Sequence, residues 1–147
     1  MRIYADTSFL VSFLFTKDKH QAEARHFFSK FEENEWLISE WSWIETVNSL
    51  RQLCRNGLKS GAAEAIIRYF KHLHQAGPFE RVNTRMDEAL QDCVQLSAAH
   101  GSQLRMRSAD VLHVALLEQI APALFITRDK DQYALAKARA FPSTLVA

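Results

Sequence analysis

The sequence predicts an α/β fold: a three-layer sandwich in which a central, mainly parallel β-sheet of four to five strands is flanked by helices. Two observations carry this. Short apolar runs alternate along the chain with longer stretches whose apolar residues recur at helical spacing, the pattern of buried parallel strands joined by crossover helices. One helical stretch, Ala109 to Ile120, is apolar on nearly all sides, as a helix covered by the rest of the fold must be.

The elements follow in order. Ile3 to Ala5 is a strand, too short for a helix, and it ends at Asp6. Phe9, Leu10, Phe13 and Leu14 then sit at helical spacing, as do Ala24, Phe27, Phe28 and Phe31. Trp36 to Ile38 is the second strand and stops at Ser39. Trp43, Val47, Leu50, Leu53 and Cys54 form a helical stripe that ends near Asn56-Gly57. Ser60 to Gln75 reads as another helix, with Ile66, Tyr69, Phe70 and Leu73 on its apolar side and Gly77-Pro78 closing it. Phe79 to Val82 is the third strand. Met86 to Ala99 is an amphipathic helix that His100-Gly101 stops, and Ser108 opens the apolar helix Ala109 to Ile120. Ala123 to Ile126 is the fourth strand, Asp129 to Ala138 the last helix, and Thr144 to Val146 the fifth strand.

With 147 residues, 48% of them apolar, and only four Gly and three Pro, the chain can bury roughly two-thirds of its unfolded surface without disulfides or metal. Disordered, collagenous and low-complexity classes are excluded. No repeat or Gly/Ser linker divides it, so residues 1–147 are expected to form a single domain. There is no run of 18 apolar residues and no signal-like start, so neither a spanning helix nor a secretory leader is expected. Cys54 and Cys93 lie in unrelated helices without ligand-like spacing, which suits reduced thiols in a cytoplasmic protein.

The net charge of +1 is uninformative, but its distribution is uneven. Glu32, Glu33, Glu35, Glu40 and Glu45 occur between Phe31 and Leu50 with no Lys or Arg; Arg51, Arg55, Lys59, Arg68 and Lys71 follow with Glu64 alone. Two solvated helix faces explain this, and so does an acidic site beside a basic rim suited to an anionic polymer.

Open parallel sheets bind ligands outside the carboxyl ends of their strands. Four acids are placed at that edge: Asp6 after the first strand, Glu45 early in the helix after the second, Asp110 in the first turn of the apolar helix, and Asp129 after the fourth strand. Each has a local explanation. Asp6, Asp110 and Asp129 suit helix caps, and Ser42-Trp-Ile-Glu45 fits a capping box. Together they are harder to dismiss, because carboxylates ~6 Å apart repel by roughly 3 kcal/mol per pair at an effective dielectric near 20. A divalent cation compensates such a cluster, and all-oxygen ligands favour Mg²⁺ or Mn²⁺ over zinc.

MRIYADTSFLVSFL, the Glu45 helix, SADVLHVALL and LFITRDKDQYALA, in that order and spacing, resemble the PIN-domain family. The closest likeness is to the VapC-type ribonuclease toxins of toxin–antitoxin pairs, and it spans nearly the whole chain. The resemblance implies that Asp6, Glu45, Asp110 and Asp129 are the metal-site acids, with Asp131 as the alternative to Asp129. It makes Thr7, Ser8 and Thr127 the hydroxyls that orient them. It further implies Mg²⁺- or Mn²⁺-dependent hydrolysis of RNA to 5′-phosphate and 3′-hydroxyl ends, a homodimer, and a cognate antitoxin.

Arg105 and Arg107, in the loop before the Asp110 helix, are placed for phosphate contact or are ordinary loop arginines. His113 is read as a satisfied core histidine in preference to a ligand or base, and Trp36, Trp41 and Trp43 as core or dimer packing in preference to base stacking. His72 and His74, two apart on a helix, do not form a zinc pair. Two rival functions remain: a catalytically silent domain of the same fold that binds RNA or a partner, and a phosphoacceptor receiver. The receiver is disfavoured, because Asp6 has no acidic neighbour and no Lys follows Val82 within twenty residues.

Overall fold

Five strands and seven helices form among the described residues, 1–55 and 61–147, of this computed structural model. They are β1 (Arg2–Ala5), α1 (Thr7–Leu14), α2 (Gln21–Lys30), β2 (Glu35–Ser39), α3 (Glu40–Arg55), α4 (Ala62–Gln75), β3 (Phe79–Val82), α5 (Met86–His100), α6 (Ser108–Ile120), β4 (Leu124–Thr127), α7 (Lys130–Ala138) and β5 (Ser143–Leu145). The expected stop at Asn56-Gly57, the start at Ser60 and the place of Lys59 lie outside the described residues.

The strands form one sheet in the order β3-β2-β1-β4-β5, and every pairing is parallel. Ile3 registers with Trp36 on one side and Leu124 on the other. This order departs from the 2-1-3-4-5 arrangement of receiver-type folds, which removes that rival. The chain begins at the sheet centre, builds outward through β2 and β3, then crosses to β4 and β5. The reversal lies between β1 and β4, where a crevice opens beyond the strand ends.

Alternation along each strand separates two cores. Ile3, Ala5, Trp36, Ile38 and Ile126 face one side, packed by Phe9 of α1, Ala24 of α2, Leu50 of α3 and Phe70 of α4. Tyr4, Leu37 and Phe125 face the other, under α5, α6 and α7. The expected three layers are therefore present. α6 is buried along most of its length, from Asp110 through Leu117, as its all-round apolarity requires. Trp36 is fully buried, and Trp43 stacks on Phe70 with centroids 4.6 Å apart, so both serve the core.

One boundary departs from expectation for a physical reason. α3 starts at Glu40, earlier than the Ser42-to-Glu45 capping box would allow. Ser39 and Ser42 cap each other instead: the Ser42 amide donates to Ser39 Oγ at 3.0 Å and the Ser39 amide to Ser42 Oγ at 2.8 Å. This satisfies the helix start one turn earlier and frees Glu45 from a capping role. At the other end of the α3–α4 segment, Gly77 takes φ +85° just past α4, a conformation glycine adopts without penalty.

Candidate active site

Asp6 leaves β1 and caps α1, its Oδ1 accepting the Phe9 amide at 2.9 Å. A local cap explains half of its bonding. The Ser8 hydroxyl donates to the same carboxylate at 2.8 Å, and Thr127, the last residue of β4, donates to Oδ2 at 2.6 Å. Thr127 Oγ1 in turn accepts the Asp129 amide at 2.9 Å, and Ser8 Oγ accepts the Arg128 amide at 2.8 Å. Two hydroxyls thus tie the end of β1 to the loop after β4. Asp6 and Thr127 are fully buried.

Glu45 projects from α3 across the same crevice. Thr7 Oγ1 donates to its Oε2 at 2.7 Å, and His113 Nε2 lies 2.5 Å from that oxygen. His113 is buried on α6, and its Nδ1 is 3.2 Å from the Tyr4 hydroxyl, which is 2.9 Å from Ser39 Oγ. Nε2 carries a proton toward Glu45, the donor that a carboxylate oxygen requires. His113 is a satisfied buried histidine, as expected; what the sequence did not reveal is that its partner is a site carboxylate. Both donors use Oε2, and Oε1 receives none among the described residues.

Asp110, 1% exposed, accepts the Arg107 amide at 2.9 Å through Oδ2 and the Gln132 amide group at 3.2 Å through Oδ1. Asp129 caps α7, accepting the Asp131 and Gln132 amides through Oδ1, while Arg107 Nη2 donates to Oδ2 at 3.0 Å. Arg107 Nε stands 3.5 Å from Asp110 Oδ2. One guanidinium, attached to a side chain 73% exposed, therefore lies across two carboxylates. Oxygens of Asp110, Asp129 and Asp131 fall within 4.8 Å of one another. Asp129 lines the cavity described next, whereas Asp131 lies 4.0 Å from the largely exposed Arg105.

Glu45, Asp110 and Asp129 converge on a cavity of about 670 Å³, lined also by Thr7, Ser8 and Arg107 among others; Asp6 does not line it, but is fully buried and bonded to Ser8 of its wall. The carboxylate oxygens of Glu45, Asp110 and Asp129 are the donor type that a hard divalent cation takes. Arg107 already marks the demand for positive charge between Asp110 and Asp129.

Burial pushes the Asp6 carboxyl above its ordinary 3.8, outweighing the pull of His113 and its hydroxyl donors. Burial also acts to raise Glu45, but the His113 bond and charge, with Thr7 and Arg107, reverse it, so Glu45 titrates below the usual range. The signs oppose. Asp6 supports the metal-free fold below about pH 3.8 and withdraws that support as pH rises through its raised value; Glu45 lends support above about pH 4.5 and loses it as pH falls through its lowered one. Asp6→Asn is therefore expected to gain urea resistance relative to wild type as pH rises from the ordinary carboxylate range toward neutrality in EDTA. A pH-independent difference would contradict the strain assigned to the buried charge.

The far part of the cavity, lined by Ser12, Asp18, Asn48, Gln52 and Arg128, lies beyond the expected site residues. The spacing of Asn48 and Gln52 after Glu45 was the available signal.

The PIN-domain family model matches residues 3–138. Among solved structures, the chain is similar to the sarcin–ricin-loop-cleaving toxin VapC20 of Mycobacterium tuberculosis, with 18% identity, a TM-score of 0.66, and 90% of this chain and 93% of that chain covered. It is also similar to PAE2754 of Pyrobaculum aerophilum, at 18% identity and a TM-score of 0.59, covering 92% and 79%. A third similarity is to FitAcB of Neisseria gonorrhoeae, at 16% identity and a TM-score of 0.61, covering 96% and 95%. These likenesses concern the fold. No curated protein sequence matches the chain.

Proposed function

The chain belongs to the PIN-domain family, and from that premise we propose that it is a metal-dependent endoribonuclease, a single nuclease domain over residues 1–147 that acts in the cytoplasm as the toxin of a toxin–antitoxin pair. The observation that carries this reading is the convergence of Glu45, Asp110 and Asp129 on one cavity, with the buried Asp6 bonded to Ser8 of its wall. The fold it shares with a toxin that cleaves the sarcin–ricin loop supports RNA as the substrate class. A cognate antitoxin and a homodimer belong to the same proposal.

A phosphodiester repels its nucleophile and leaves through a poor alkoxide. Mg²⁺ or Mn²⁺ bound at the carboxylates supplies a lowered water pKa and neutralises charge on the phosphate. The residues of this chain provide the rest. Asp6, Glu45, Asp110 and Asp129 would hold the cation. Thr7 and His113 restrain Glu45 through Oε2 and leave Oε1 for the cavity. Ser8 and Thr127 fix Asp6 and the Asp129 loop relative to each other. Arg107, its guanidinium at the rim, passes from the carboxylates to an incoming phosphate, and Arg105 adds charge beside it.

Incubation with total RNA, followed by end mapping, tests the reading. The expected result is internal cleavage giving 5′-phosphate and 3′-hydroxyl ends in Mg²⁺ or Mn²⁺ and none in EDTA. Binding of RNA without cleavage under any divalent ion would favour the silent-domain alternative.

A further inference from the structure

The cavity continues past the carboxylates along α3. Glu45, Asn48, Ser49 and Gln52 follow at intervals of three and four residues, so they share one helix face, and all four line the cavity. Asn48 and Gln52 are exposed, each offering an amide donor and acceptor, the complement of a base edge.

Arg128, from the loop after β4, also lines this cavity. Its side chain is only 12% exposed, yet its pairing is poor. Nη1 donates to Ser12 Oγ at 3.3 Å and stands 3.9 Å from Asp18 Oδ1, and Nε is buried with no hydrogen-bond partner among the described residues. A guanidinium carries five N–H donors, and one so far withdrawn from water is under-compensated by a single distant carboxylate. A phosphate entering the cavity supplies the guanidinium with opposite charge and with acceptors for its Nη donors.

Resting on the ribonuclease reading of the site, we infer that this extension is the pocket for the nucleotide adjoining the cut. Arg128 receives its phosphate, and Asn48 and Gln52 read its base. The RNA is single-stranded there, because an unpaired base can turn its edge toward a protein wall. Amides and a cation continuous with the carboxylates suit a nucleotide better than a peptide.

The experiment uses a pool of RNA oligonucleotides with randomised bases, digested by the full chain in Mg²⁺, with the cut ends sequenced. Wild type is expected to show a base preference at a position beside the cut. Asn48→Ala or Gln52→Ala flattens that preference and lowers kcat/KM on the favoured sequence by about tenfold. Arg128→Met raises KM by about tenfold on favoured and disfavoured sequences alike, with a smaller change in kcat, and Arg128→Lys recovers part of the loss. Mg²⁺ affinity by calorimetry stays within about twofold in all four variants, which separates this pocket from the metal site. If wild type cuts the pool and the variants keep its base profile and KM, the nucleotide pocket is overturned and the α3 wall passes to a protein partner. If wild type cuts nothing, the ribonuclease reading falls and the pocket falls with it.

Discussion

Asp110→Asn is expected to lower RNA cleavage by at least roughly 10²–10³-fold, the loss that follows removal of one charge-stabilising group from a reaction centre, while the thermal midpoint stays near that of wild type. The two halves of this expectation have separate causes. Asn keeps the shape of a buried side chain but lacks the charge that would hold a cation. The protein can absorb the exchange. The oxygen that accepts the Arg107 amide is retained, and the new amide group would face Gln132 Nε2. Gln132 Oε1 is buried without a partner among the described residues, so rotating its amide by half a turn presents an acceptor to the new donor. End-labelled RNA cleavage and thermal unfolding, run on the same preparation, check both halves. Wild-type cleavage by this variant would remove Asp110 from the metal site.

His113→Leu is expected to lower metal affinity or cleavage by about 10–100-fold, the range seen when a group orienting a metal ligand is lost. It should also destabilise the fold by roughly 1–3 kcal/mol. Glu45 keeps Thr7 but loses its second restraint, and the Tyr4 hydroxyl keeps only its serine neighbours. His113→Gln retains a nitrogen donor near the Nε2 position and is expected to recover Mg²⁺ affinity more fully than stability. Calorimetry with Mg²⁺ and urea unfolding separate the two effects. Equal losses in the Leu and Gln variants would make His113 a packing residue and nothing more.

Much of this fold was legible because its strands are short, apolar and buried on both faces, whereas its helices are longer and carry a different period. Ile3 to Ala5 and Trp36 to Ile38 could be recognised without knowing their neighbours. The start of α3 could not. Ser42 and Glu45 have capping-box spacing, but Ser39 competes for the same amide, and Glu45 gains better partners in Thr7 and His113. Local chemistry likewise exposed Asp6 and Asp129 as caps. The bond from Thr127 to Asp6 that connects them spans 121 positions and exists only once β4 lies against β1. Arg128 was illegible for a related reason: its poor pairing is a property of the packed loop, and a lone arginine between Thr127 and Asp129 carries no mark of it.

Placement of the first strand at the centre of the sheet has a consequence during synthesis. Of the five strands described, β1 is made before the others, yet one of its flanking neighbours, β4, follows only after β2 and β3. Until Leu124–Thr127 arrives, Asp6 lacks its threonine donor and Asp129 has not been added. A segment that stops short of β4 therefore cannot assemble the carboxylate cluster, because both the hydroxyl donor to Asp6 and the carboxylate of Asp129 are missing from it.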